Sequence, residues 1–186
     1  TASDVAAAFA GGLANTQTGA VTITDTSGTI AATTLSGIGS ATDGVVTAAS
    51  NGITISGTAT ELTAALVTAG SLVVASNADV TITDSSGTIA ATVMSGIGAK
   101  TGGTVTASSG GITIQGTDSE LVAALHTASS KIVAGSAIVD VTGTASVANI
   151  GNIVDKTSAT VSYSLSDTAS GIDGASASVL NGATNI

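Results

Sequence analysis

Val21-Thr22-Ile23-Thr24-Asp25-Thr26-Ser27-Gly28-Thr29-Ile30-Ala31-Ala32-Thr33 recurs as Val80-Thr81-Ile82-Thr83-Asp84-Ser85-Ser86-Gly87-Thr88-Ile89-Ala90-Ala91-Thr92, 59 residues later. Gly52-Ile53-Thr54-Ile55 returns at the same offset as Gly111-Ile112-Thr113-Ile114, and Glu61 returns as Glu120. Near identity over such a span marks tandem duplication. Repeats decide a fold before any local propensity does. The division is residues 21–79, residues 80–138 and a divergent unit 139–186.

A shorter period lies inside the long one. Five-residue runs start at Val21, Ile53, Val80, Ile112, Val139 and Val161, and each alternates apolar and polar residues. Alternation with period 2 marks a strand with one buried face. Aligned by their first residues, the six runs predict rungs stacked in a parallel ladder.

Between the rungs the apolar spacing changes to three and four. Val5/Phe9, Leu62/Leu66, Leu121/Leu125 and Val147/Ile150/Ile153/Val154 fall on single helical faces. Thr58-Ala59-Thr60-Glu61 and Thr117-Asp118-Ser119-Glu120 fit the Thr-x-x-Glu capping box. Gly70 and the pair Ser129-Ser130 mark helix ends. The Thr-rich stretches from Ile30 to Leu35 and from Ile89 to Met94 read as weaker helices, strands or irregular chain.

The predicted fold class is therefore an α/β solenoid of stacked parallel strands with short helices between them. One feature conflicts with it. Val45-Val46 and Ile53-Thr54-Ile55 flank Asn51-Gly52, and Gly110-Gly111 sits in the second copy. Such dipeptides favour a type I′ hairpin. An antiparallel hairpin keeps an all-β sandwich, or β-helix repeats, as the alternative.

The ends follow the same pattern. Thr1-Ala2-Ser3-Asp4-Val5 matches Thr117–Leu121, so the chain begins just after an expected strand. It ends 25 residues past Val161 with no capping repeat. The expectation is part of a longer array, or a subunit whose ends dock on neighbours.

Composition narrows the function classes. The 186 residues include 34 Ala, 32 Thr, 25 Ser and 24 Gly, with one Phe, one Tyr and no Trp, Pro, Cys or Arg. Small side chains let layers approach closely. Three lysines, Lys100, Lys131 and Lys156, cannot form a patch that tracks phosphates, so no nucleic-acid partner is expected. Zero Cys excludes disulfides and thiolate zinc sites. No apolar run approaches the ~18 residues of a membrane helix, so no transmembrane segment is expected. No basic region followed by an apolar core marks a signal peptide. No Asn-x-Ser/Thr acceptor occurs. Net charge is −9, and an acidic, Thr/Ser-rich, Cys-free chain suits a secreted surface protein.

Chemical motifs are weak. Asp25-Thr26-Ser27-Gly28 and Asp84-Ser85-Ser86-Gly87 approach the Asp-Thr-Gly of aspartic proteases, but Ser intervenes before Gly. The aspartates read instead as turn residues that accept backbone N–H groups. His126 is the single His and reads as a helix-surface residue. In Gly151-Asn-Ile-Val-Asp155-Lys156-Thr157 the phosphate-loop Gly before Lys is replaced by Asp155. No catalytic residues and no cofactor-binding residues are assigned, and the chain reads as a non-enzyme.

The turns Asp43-Gly44 and Asp173-Gly174 suggest calcium as the one candidate cofactor. The glycine-rich calcium nonapeptide is absent, and scattered solvated carboxylates are the plainer reading. The pairs Thr22/Thr24 and Thr81/Thr83, with Thr54/Ser56 between them, suggest a flat ice-ordering ladder. Gln115 and Asp140 interrupt it.

Ser166-Asp167-Thr168-Ala169-Ser170-Gly171-Ile172 with Val179-Leu180-Asn181, together with the Val-Thr-Ile-Thr-Asp repeats, resembles tandem repeats of very large secreted bacterial proteins. These are surface-layer proteins and repeats-in-toxin-type adhesins, notably cyanobacterial ones. The resemblance implies an extracellular, cell-surface scaffold or adhesive filament. Its implied partners are itself or adjacent repeats, or, for a binding module, a cell-surface glycan or ice.

Overall fold

The computed structural model describes residues 1–13, 18–127 and 130–186. These fall into two compact units. The first is Thr1–Thr83 with Gly96–Val105, and the second is Asp84–Ser95 with Thr106–Ile186. Among the described residues there are three sheets, parallel throughout and with helices between the strands. The architecture is α/β, and no sheet closes into a barrel.

In the first unit one sheet runs β1 (Val21–Thr22), β3 (Val46–Thr47), β5 (Val73–Val74). Val21 stands opposite Val46, and Val46 opposite Val73. A second ladder joins β2 (Gly28–Ala31), β4 (Ile53–Gly57) and β6 (Asp79–Ile82). Ile30, Ile55 and Val80 form one inward column across it.

In the second unit β7 (Gly87–Ala90), β9 (Ile112–Gly116), β11 (Ile138–Ala145), β12 (Val161–Leu165) and β13 (Ala183–Asn185) follow in that order. Ile89, Ile114, Val139 and Val161 make the matching column. A short strand β8 (Val105–Thr106) precedes Ala107, whose N–H donates at 2.9 Å to the oxygen of Val133 in β10 (Ile132–Val133).

Helices cover the strands. They are α1 (Ala2–Ala8), α2 (Ala32–Ser40), α3 (Ala59–Leu62), α4 (Ala91–Gly98), α5 (Asp118–Leu125), α6 (Val147–Ile153), α7 (Ala169–Asp173) and α8 (Ala177–Asn181). Both expected capping boxes form, and Thr1 with Asp4 makes a third. Leu62, Leu66, Leu121, Leu125, Ile150 and Ile153 are buried, as their spacing requires. After Leu62 the helix widens into a π-type turn, where the Thr68 N–H reaches back to Thr63 at 2.9 Å. Full burial of each aliphatic side chain contributes roughly 1.5–3 kcal/mol, which is what opposes the ordering entropy of so small-sided a chain.

Two expectations are corrected, and a third, left open by the sequence, is resolved. First, the six runs do not share one ladder. The Val21 run belongs to the β1–β3–β5 sheet, the Ile53 and Val80 runs pair with each other, and the runs at Ile112, Val139 and Val161 pair in sequence. The register also differs from an alignment of first residues: Ile55, not Ile53, faces Val80, and Ile114 faces Val139. A slip of two residues keeps the inward face inward, so burial alone does not select it.

Second, the hairpins at Asn51-Gly52 and Gly110-Gly111 do not form. β3 and β4 pair in parallel with strands of other layers, not with each other. Gly52 does not supply a positive φ. A Cβ there would run into the Thr26 carbonyl, and one at Gly111 into the Ser85 carbonyl. Glycine is needed for close approach of two backbones.

Third, the Thr-rich stretches divide cleanly. Gly28–Ala31 and Gly87–Ala90 are strands, and the helices begin at Ala32 and Ala91. The expected helix end at Ser129 lies outside the described residues.

Candidate functional site

The repeated chemistry of this chain sits in its turns. Thr42, Thr101 and Thr157 occupy equivalent turns. Each hydroxyl accepts a backbone N–H two residues on, from Gly44, Gly103 and Ala159, all at 3.0 Å. Each also donates to a carbonyl of the preceding layer. Thr42 donates to Gly19 at 3.1 Å, Thr101 to Ala78, and Thr157 to Ala137 at 2.5 Å. Thr42 and Thr101 are buried. A second set repeats the device at Ser50, bonded to the Thr26 carbonyl at 3.4 Å, and Ser109, bonded to the Ser85 carbonyl at 3.1 Å. One hydroxyl therefore closes its own turn and ties it to a segment 20 to 24 residues earlier. The sequence reading missed these pins, although Thr42 and Thr101 lie at the 59-residue offset that could have revealed them.

Aspartates do the same for helix starts. Asp25 accepts the Ala2 N–H at 2.7 Å, and Asp167 accepts the Val147 N–H at 3.0 Å. Hydrogen bonds from the Thr168 and Val147 backbone hold Asp167 below the usual carboxylate range. Asp118 accepts the Ser146 N–H at 3.2 Å and the Asn149 side-chain N–H at 2.8 Å. Burial pushes Asp118 up, but the bonds from Asn149, Ser146 and Ser119 outweigh it and leave the pKa lowered. Asp4 is lowered by its bond to the Thr1 hydroxyl and by the terminal ammonium at 3.0 Å.

The residues singled out from sequence now have places. Asp25 lies between β1 and β2 and caps a helix, as a turn aspartate should; Asp84 belongs to the other unit. His126 is exposed at the end of α5, its backbone N–H bonded to Val122 at 3.0 Å. Gly151–Lys156 is helical, spanning the end of α6 and a single turn at Val154–Lys156, rather than a phosphate-binding loop. Asp43 and Asp173 are exposed and lie in different units. Among the described residues no three His, Cys, Asp or Glu side chains gather as a metal set. No described helix is long and apolar enough to cross a membrane.

The threonine ladder is corrected too. Thr54 stands opposite Thr29 and Asp79, Ser56 opposite Ala31 and Thr81, and Thr22 opposite Thr47 in another sheet. The two-residue register shift puts Asp and Ala into the columns. In the second unit Gln115 donates to Asp140 at 2.6 Å on the outward face, so polar side chains there are paired with each other.

Two grooves open in the first unit. One of about 360 Å³ lies between α1 and α2, with Phe9, Gly37 and Ile38 in its wall. Another of about 310 Å³ is bordered by Ala2, Asp25 and Ile30. In the second unit a hollow of about 250 Å³ lies beside Tyr163, whose hydroxyl donates to the Val179 carbonyl at 2.5 Å. Comparison with protein-family models, with curated proteins and with solved structures finds no match.

Proposed function

We propose that this chain is a structural protein of the cell exterior, an α/β solenoid that extends or assembles a surface filament, layer or adhesin stalk by stacking on further copies of its own repeat. The observation that carries the reading is the reuse of one inter-layer geometry. Gly28 faces Ile53 as Gly87 faces Ile112, and Ile55 faces Val80 as Ile114 faces Val139. Layers that repeat one register, as these two pairs of contacts do, add without a new design for each addition. The acidic, Thr/Ser-rich composition without Cys supports an extracellular setting.

Electron microscopy and sedimentation of the purified chain over a wide concentration range test this. Concentration-dependent filaments or sheets are the expected result. A chain that stays monomeric at every concentration, with and without calcium, overturns it.

A further inference from the structure

β1, β6 and β11 lie on three versions of one run: Val21-Thr22-Ile23-Thr24, Val80-Thr81-Ile82-Thr83 and Val139-Asp140-Val141-Thr142. Two of them have neighbours on both edges. On one edge of β6, Ile55 of β4 stands opposite Val80, and the Gly57 carbonyl accepts the Thr83 N–H at 2.9 Å. On its other edge the Val80 N–H donates to Thr104 at 2.8 Å. β11 lies between β9, with Ile114 opposite Val139, and β12, with Val161 opposite Val139.

β1 is different. Among the described residues its strand neighbour is β3, on one side. The Val21 and Ile23 N–H groups donate to Val45 and Thr47, both at 2.8 Å. In a parallel ladder successive residues address opposite edges. The backbone groups of Thr22 and Thr24 therefore face the edge that β6 presents to β4. Burial reports the same difference. Val80 and Val139 are 0% exposed, whereas Val21 is only half-buried. Thr81 is half-buried, whereas Thr22 is exposed.

In both completed cases the strand on this edge reads Ile-Thr-Ile-x-Gly, at Ile53–Gly57 and Ile112–Gly116. We propose that the open edge of β1 is a docking site for a parallel Ile-Thr-Ile-x-Gly strand supplied by another repeat of this kind. Its second Ile stands opposite Val21, and its Gly carbonyl accepts the Thr24 N–H. The source of that strand rests on the stacking function proposed above; the open edge does not. Strand addition of this type takes its affinity from main-chain bonds and its register from alternate side chains.

Amide hydrogen exchange on the full chain tests the edge. One arm adds the synthetic peptide Asn-Gly-Ile-Thr-Ile-Ser-Gly at millimolar concentration. A second arm places the same seven residues directly before Thr1, because Gly57 leads straight into Thr58, whose capping box Thr1 reproduces. Exchange at Thr22 and Thr24 slows by about tenfold or more in at least one arm. Val21 and Ile23, already bonded to β3, change little. Peptide or extension with Pro in place of its second Ile gives no protection. Unchanged exchange at Thr22 and Thr24 in both arms overturns the docking site. Assembly of the unmodified chain is read separately by sedimentation. Filaments in which Thr22 and Thr24 stay unprotected overturn the edge and leave the stacking reading intact. Protection in a chain that never assembles supports the edge and counts against stacking.

Discussion

Asp167 accepts the backbone N–H of Val147 at 3.0 Å, so a residue just past β12 caps the helix that precedes that strand. Its carboxylate is held below the ordinary range by the Thr168 and Val147 backbone. A depressed folded-state pKa means stability that is present above the unfolded-state pKa and lost as pH falls through the folded one. Asp167→Ala lowers the unfolding midpoint at neutral pH. It also makes the acid limb shallower than in the parent chain. Urea titrations between pH 2 and pH 7 check both, and an unchanged acid limb refutes the assignment.

Thr101 closes its turn through Gly103 and ties it to Ala78. Thr101→Val keeps the shape and removes the hydroxyl, leaving the half-buried Gly103 N–H and the buried Ala78 carbonyl without that partner. The expected cost is about 1–3 kcal/mol. Thr101→Ser keeps the hydroxyl and loses less. Denaturant midpoints that rank parent, Ser and Val in that order support the pin; equal midpoints for Ser and Val do not.

Gly111 and Gly151 should respond in opposite directions to the same substitution. A Cβ at Gly111 meets the Ser85 carbonyl, so Gly111→Ala costs roughly 1–3 kcal/mol. At Gly151, exposed on α6, a Cβ meets nothing within 4 Å. Gly151→Ala therefore stabilises by about 0.5–1 kcal/mol. Thermal unfolding of the two variants side by side gives the sign of each.

Tyr163 is 2% exposed. Burial pushes its phenol up, against an opposing hydrogen bond from the Gly182 backbone. A raised folded-state pKa gives stability that is complete below the unfolded-state value, about 10, and is lost as pH rises towards the folded one. The parent chain therefore loses stability above about pH 10 in a way that Tyr163→Phe does not. At pH 7 the Phe variant is the weaker of the two by about 1–3 kcal/mol, because the buried Val179 carbonyl loses its donor. Crossing stability curves in alkaline urea titrations are the signature.

Much of this fold could be read from the chain. Alternation at Ile53-Thr54-Ile55 and the Thr58/Glu61 box declare themselves through residues close together, where sterics and capping act. The register could not be read, because pairing Val80 with Ile53 or with Ile55 buries the same face. Asn51-Gly52 misled for a related reason. Glycine serves positive φ and close backbone approach alike, and only the carbonyl of Thr26 tells them apart. The Thr42 and Thr101 pins were hidden by abundance, since in a chain with 32 threonines no single hydroxyl stands out. The open edge of β1 needed knowledge of which strands lie beside β6 and β11, and that is a property of tertiary pairing.

Each hydroxyl pin and each strand pair joins positions only some 20 to 28 residues apart, as Thr101 to Ala78 and Ile55 to Val80 illustrate. The entropy of closing a loop depends on its length, and here that length hardly varies from one turn to the next. Each added pairing of this spacing therefore carries a similar closure penalty, rather than one that grows with the length of the whole chain.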